Sequence, residues 1–135
     1  MPIQKRILVV DDERDIVVVL TRALRRQGFD VVSAGDGEQA LERVKDSHPD
    51  LVILDIVMPK LDGIEVLQRI KGNPQTSSLP VIMLTGKAGD EDMLKGYKYG
   101  ANYYIPKPFK IADVLGGIKM MFQSIEEEKS RRFKI

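Results

Sequence analysis

Short aliphatic and β-branched runs alternate along this chain with longer stretches whose apolar positions recur at helical spacing. The runs are Ile7-Leu8-Val9-Val10, Val31-Val32-Ser33-Ala34, Leu51-Val52-Ile53-Leu54, Val81-Ile82-Met83-Leu84 and Tyr103-Tyr104-Ile105-Pro106. That alternation predicts an α/β domain with a parallel sheet. The third run is apolar throughout, as a strand covered on both faces would be.

Between the runs, the pattern predicts a first helix over residues 13 to 27, with Ile16, Leu20 and Leu24 on one face and Gly28 as its stop. Gly35-Asp36-Gly37 leads into a second helix over 38 to 45. Asp62-Gly63 opens a third, which runs to about 71 and is closed by Asn73-Pro74. A fourth is expected over 90 to 99, where Gly96 and Gly100 lower the propensity. The last starts near Pro108 and keeps Ile111, Val114, Leu115, Ile118, Phe122 and Ile125 on one face. Gly116 and Gly117 inside it cost roughly 1 kcal/mol each relative to Ala, and close packing on the sheet is the expected return. Past Ile125 the apolar face thins, while Glu127 with Arg131 and Glu128 with Arg132 form favourable i,i+4 pairs. The expected organisation is one domain over residues 1 to 125, with 126 to 135 a helical extension or the start of a linker.

Composition narrows the function classes. A chain of 135 residues is one domain by size. With 21 Lys and Arg against 20 Asp and Glu, it carries no overall field that would draw nucleic acid or an anionic membrane, so direct binding of either is not expected. The absence of cysteine excludes disulfides, thiolate metal sites and thiol nucleophiles, and fits a reducing compartment. The apolar run behind the basic N-terminus stops at Asp11-Asp12-Glu13, too soon for a signal peptide or a membrane span. A cytoplasmic location is therefore expected.

The chemistry lies where the strands end. Asp11 and Asp12 follow the first run, Asp55 the third, Thr85 the fourth and Lys107 the fifth. In an open parallel sheet these C-terminal ends share one edge, and ligands bind in the crevice there. Neighbouring carboxylates repel, so a site holding all three needs a raised pKa or a bound cation. Ligands that are all oxygen select a hard ion, and Mg²⁺ is its natural occupant. With charge so neutralised, one carboxylate can attack phosphorus and become an aspartyl phosphate. Thr85 would donate its hydroxyl to a phosphoryl oxygen, and Lys107 would act as a point charge on another. Asp11-Asp12 alone would serve equally well as a helix cap; the matching positions of Asp55, Thr85 and Lys107 favour the site.

Val9-Val10-Asp11-Asp12-Glu13, Asp55-Ile56-Val57-Met58-Pro59, Asp62-Gly63, Leu84-Thr85-Gly86, Gly100-Ala101 and Lys107-Pro108-Phe109 together resemble the receiver domain of two-component response regulators, from residue 5 to about 125. The resemblance implies a flavodoxin-like, doubly wound five-stranded parallel sheet in the order 2-1-3-4-5, with five helices. Pro106 supports that order independently, since proline in a strand is tolerated at a sheet edge. It further implies that Asp55 is the phosphoacceptor for a sensor histidine kinase or phosphotransfer protein. Asp12 would ligate Mg²⁺ directly, Asp11 mainly through water, and the Val57 carbonyl would complete the protein ligands. Gly86 would leave the phosphoryl pocket open, and Lys107-Pro108 would be cis. Thr85 and Tyr104 would form the switch, Tyr104 following the threonine hydroxyl inward and altering the face made by the fourth helix, fifth strand and last helix. That face would act on an output partner or domain whose identity the sequence does not give. Tyr103 is expected to pack and His48 to be an exposed loop residue. Val57 and Lys87, two residues after Asp55 and Thr85, would make the phosphorylated state long-lived. The chain would be a signalling phosphoacceptor that catalyses only its own phosphorylation and slow dephosphorylation.

Two departures qualify the resemblance. DNA-binding relatives that dimerise through this face usually carry a pair of acidic residues where this chain has Asn102-Tyr103, and an Arg where it has Gly116 or Gly117. Their salt-bridged dimer is not expected here. No output domain follows in this sequence, which suits a stand-alone receiver and the front of a longer regulator alike. Among rival classes, an FMN carrier would not place Asp11-Asp12-Glu13 where a phosphate must sit. A haloacid-dehalogenase-type phosphatase wants a second Asp where Val57 stands. The remaining alternative is a binding module of the same fold that acts without phosphate.

Overall fold

The computed structural model describes residues 4–58, 60–86 and 97–133. Five strands form a single sheet: β1 (Arg6–Val10), β2 (Asp30–Ala34), β3 (Leu51–Asp55), β4 (Val81–Thr85) and β5 (Tyr103–Pro106). Every pairing is parallel and the order is β2-β1-β3-β4-β5. The crossovers are α1 (Arg14–Arg26), α2 (Gly37–Ser47) and α3 (Gly63–Gly72), and α4 (Ile111–Phe133) closes the chain. The described residues thus hold four helices rather than the expected five. Of the helix expected over 90 to 99, residues 97 and 98 are helical and 90 to 96 lie outside the described residues.

Alternation along buried strands sorts side chains to two faces. Leu8, Val10, Val52, Leu54, Val81 and Met83 pack with Ala40 and Val44 of α2 and Val66, Leu67 and Ile70 of α3. Ile7, Val9, Leu51, Ile53, Ile82 and Leu84 pack with Leu20 and Leu24 of α1 and Val114 and Ile118 of α4. Each fully buried aliphatic side chain contributes roughly 1.5–3 kcal/mol, and these two layers hold the strand ends in one line.

Local signals set the boundaries. Glu13 and Gln27, expected inside the first helix, are its N-cap and C-cap, and Gly28 follows at φ 92°. The carboxylates of Asp36 and Asp62 cap α2 and α3, each accepting from a backbone N–H three residues on at 2.9 Å. Gly63 does more than open α3. A Cβ there would overlap the Asp55 carbonyl, and the Gly63 N–H donates to the Ile56 carbonyl at 2.7 Å. The missing side chain lets α3 press against the backbone that presents Asp55.

Pro106 lies on the edge strand, as expected, and the Lys107 N–H donates to the Thr85 carbonyl at 2.6 Å just beyond it. Lys107-Pro108 is cis. The two helix glycines now divide. A Cβ on Gly117 would sit 3.2 Å from the Tyr103 ring, whereas one on Gly116 would meet nothing within 4 Å. Gly116→Ala should therefore stabilise the fold by about 1 kcal/mol through helix propensity alone, and Gly117→Ala should return less because the tyrosine must yield. Urea denaturation of the two variants checks this; equal gains would show that the Tyr103 contact does not constrain the helix. Beyond Ile125, α4 continues without a break to Phe133.

Candidate functional site

Asp55 is the last residue of β3, Thr85 the last of β4, and Asp11 and Lys107 directly follow β1 and β5. The ladder aligns Val10 with Leu54, Asp55 with Leu84, and Thr85 with Pro106, so these strand ends share one edge. Asp11, Asp55 and Thr85 are the buried polar residues among those described, exposed by only 1%, 4% and 3%. Such groups are almost never buried without a partner.

Lys107 is the partner of the two carboxylates. Its Nζ lies 2.9 Å from Asp11 Oδ2, 3.5 Å from Asp55 Oδ1 and 3.6 Å from Glu13 Oε1. Asp11 Oδ1 accepts in addition from the Glu13 N–H at 2.8 Å. Burial and the charge of Asp11 push the Asp55 carboxyl up to about 6, although the Lys107 ammonium and the Val57 N–H pull the other way. For Lys107, burial disfavours the ammonium, but the hydrogen bond it donates to Asp11 and the charges of Asp55, Asp11 and Glu13 outweigh it and hold the group above the ordinary lysine value. Asp55 thus carries more negative charge around it than one ammonium neutralises.

The arrangement fits a hard cation. Carboxylate oxygens of Asp11, Asp12 and Asp55 all lie within 4.8 Å of one another, Asp12 on the exposed side. The donors are oxygens only, and the Asp55 pKa is raised first by burial and then by the charge of Asp11, both of which a divalent ion would offset. Val57 reaches the site through its backbone N–H, while its side chain is 73% exposed. Beside Thr85, a Cβ on Gly86 would meet none of the described residues within 4 Å.

Tyr104 pairs with Met83 in the ladder and packs in the same core layer, on the face of the sheet that Thr85 shares by alternation. It is buried, its ring 5.0 Å from that of Tyr97. Tyr103 faces the other layer, against Gly117, as expected of a packing residue. Asn102 Oδ1 accepts from the Val81 N–H at 2.9 Å and from Lys71 Nζ at 3.0 Å. The position that is acidic in dimerising relatives is committed within the molecule. His48 is exposed and, at φ 49°, is the left-handed C-cap of α2. Lys87 lies outside the described residues. Glu13 was legible only as part of a motif; its reach to Lys107 was not.

A family model described as "Response regulator receiver domain" matches residues 7–119. The chain is 43% identical over 122 residues to the alkaline phosphatase synthesis transcriptional regulatory protein PhoP of Bacillus subtilis, covering 90% of this chain and 50% of that protein. It is 37% identical over 132 residues to the DNA-binding response regulator MtrA of Mycobacterium tuberculosis, covering 98% and 57%. The chain therefore spans about half the length of these relatives. Among solved structures, a CheY-like receiver domain protein of Methanospirillum hungatei superposes with a TM-score of 0.88 at 30% identity, covering 93% of this chain and 99% of that one. The chemotaxis response regulator CheY4 of Vibrio cholerae gives 0.83 at 28% identity, covering 87% and 98%. No helix among the described residues is long and apolar enough to cross a membrane. Matched over most of its length in sequence and in fold, the chain belongs to the response regulator receiver domains, the signalling modules of two-component systems.

Proposed function

We propose that this domain accepts a phosphoryl group on Asp55 from a histidine kinase or phosphotransfer protein, and that this changes the face made by β5, the helix expected over 90 to 99 and α4. The observation that carries the reading is the buried Asp55 carboxylate held 3.5 Å from Lys107 beside two further carboxylates. In the transfer, an Asp55 oxygen forms a bond to phosphorus while the bond to the donor's imidazole nitrogen or acetate oxygen breaks, and the donor leaves with that electron pair. Asp12, Asp11, Asp55 and the Val57 carbonyl would hold Mg²⁺, which when bound supplies the positive charge that lets a carboxylate and a phosphoryl group approach. Lys107 neutralises a phosphoryl oxygen, and Thr85 donates its hydroxyl to another.

Intact-protein mass spectrometry tests this. Incubation with Mg²⁺ and acetyl phosphate should add one phosphoryl group, and EDTA should prevent it. An unchanged mass in Mg²⁺ would favour a binding module that acts without phosphate.

Thr85 and Tyr104 form the proposed switch, because they share a face of the sheet on adjoining strands. Phosphorylation should change the affinity of this face for its partner by about 1–3 kcal/mol, the usual range of such coupling. Backbone amide shifts of Tyr104 and of residues 97 to 106 should move on phosphorylation; if they stay put, the switch lies elsewhere. Near-neutral overall charge argues that any effect on DNA, which the name of MtrA records for that relative, would pass through a separate output domain or partner. The proposed place of action is the cytoplasm.

A further inference from the structure

We propose that Glu13 competes with the incoming phosphoryl group for the Lys107 ammonium, and so restrains phosphorylation by free phosphodonors. The inference rests on the reading of Asp55 as phosphoacceptor and assigns a positioning role to a residue outside the cluster of Asp11, Asp12 and Asp55.

Glu13 occupies the N-cap of α1, yet its side chain makes no capping hydrogen bond. Ser, Thr, Asp and Asn are favoured there because a short side chain can reach the free N–H groups of the first turn. The longer glutamate turns instead across the strand ends, 63% exposed, to within 3.6 Å of Lys107 Nζ. The helix start thus forgoes a side-chain cap, and Lys107 gains a third carboxylate beside its ammonium.

The three carboxylates around Lys107 are not equivalent. Asp11 and Asp55 belong to the cluster whose oxygens can share a cation, and Glu13 does not. Once a cation offsets the charge of that cluster, Glu13 is the carboxylate beside Lys107 whose charge remains uncompensated. Lys107 must exchange Glu13 for a phosphoryl oxygen as the bond to Asp55 Oδ forms and the donor's acetate leaves. An ion pair with one exposed partner is weak, so the expected restraint is about two- to five-fold in rate. Its exposure matters too: a weak, solvent-accessible competitor can be displaced, which a buried pair such as Asp11–Lys107 would resist.

Two substitutions test the proposal in the full chain. Glu13→Gln removes the charge; Glu13→Asp keeps it but shortens its reach and offers a better cap. Initial rates of phosphorylation across acetyl phosphate concentrations should rise about two- to five-fold in both variants. In the metal-free proteins, the Lys107 ammonium resonance should shift in both. A rate in Glu13→Asp equal to wild type, with only Glu13→Gln faster, would mean simple repulsion of the anionic donor and would overturn competition for Lys107. Unchanged rates, or an unmoved Lys107 resonance, would overturn it as well. Wild-type protein that takes up no phosphate would instead remove the phosphoacceptor reading, and this inference with it.

Discussion

Asp55→Asn should abolish phosphoryl incorporation and, in the same molecule, make the metal-free fold more stable at neutral pH. The first effect follows because the amide lacks the nucleophilic carboxylate oxygen that the proposed transfer requires. The second follows from charge. The Asp55 carboxyl titrates at about 6 in the fold against 3.8 for an unperturbed aspartate, raised chiefly by burial and by Asp11. Below the lower value both folded and unfolded chains hold the proton, and the carboxyl makes no difference between them. As pH rises from there, the unfolded chain releases its proton first, so stability falls until the folded protein has released its own. At 1.36 kcal/mol for each pH unit between the two pKa values, the loss at neutral pH is on the order of 2–3 kcal/mol. Asparagine keeps the shape without the charge, so its advantage should be absent in acid and complete above the higher pKa. Urea denaturation in EDTA across that range measures it. Added Mg²⁺ should narrow the gap by binding the wild-type fold more tightly. A labelled Asn variant would reassign the phosphoacceptor, and an advantage independent of pH would mean that charge burial is not its source.

Most of this site was legible because strand ends are abrupt in sequence. Four apolar runs stop at Asp11, Asp55, Thr85 and Lys107, and a parallel sheet converts those stops into one edge. Once the ladder register is fixed, no finer information is needed to bring these residues together. Contacts that depend on side-chain reach were not legible. Glu13 and Lys107 are distant in sequence and lie at the ends of strands that β3 and β4 separate, so only the reach of the two side chains along that edge reveals their pairing. Gly63 read as a helix opener, but its close approach to the Asp55 carbonyl is a property of how α3 sits on β3.

Helix extents show a similar divide. Hydrophobic periodicity marks where a helix is held to the core, and for α4 that pattern fades after Ile125. The helix nevertheless runs on to Phe133, since Glu, Lys and Arg there are good helix formers that need no buried face. The paired glycines looked alike in sequence and differ only in what surrounds them: one lies under the Tyr103 ring, the other faces open space.

The phosphorylated state should be long-lived, and exchanging the side chains at positions 57 and 87 should shorten it by about ten-fold or more. Hydrolysis requires a water aligned with the bond between Asp55 and phosphorus, and positioning such a nucleophile is where most phosphoryl-transfer catalysis originates. Val57, two residues after Asp55, has an exposed aliphatic side chain that offers a water no hydrogen bond. Lys87, two residues after Thr85, has donors but no acceptor, so by its chemistry it can cover phosphoryl oxygens yet cannot take a proton from water. Val57→Asn with Lys87→Glu supplies both a group to hold the water and one to accept its proton, each within the reach of ordinary general-base assistance. The measurement is the decay of the phosphorylated mass after the donor is removed, for wild type and the double variant. Faster decay in the variant places control of the signal's duration in these two side chains. Unchanged or slower decay would defeat that assignment and shift control to solvent entry past Gly86, where a Cβ would meet none of the described residues within 4 Å.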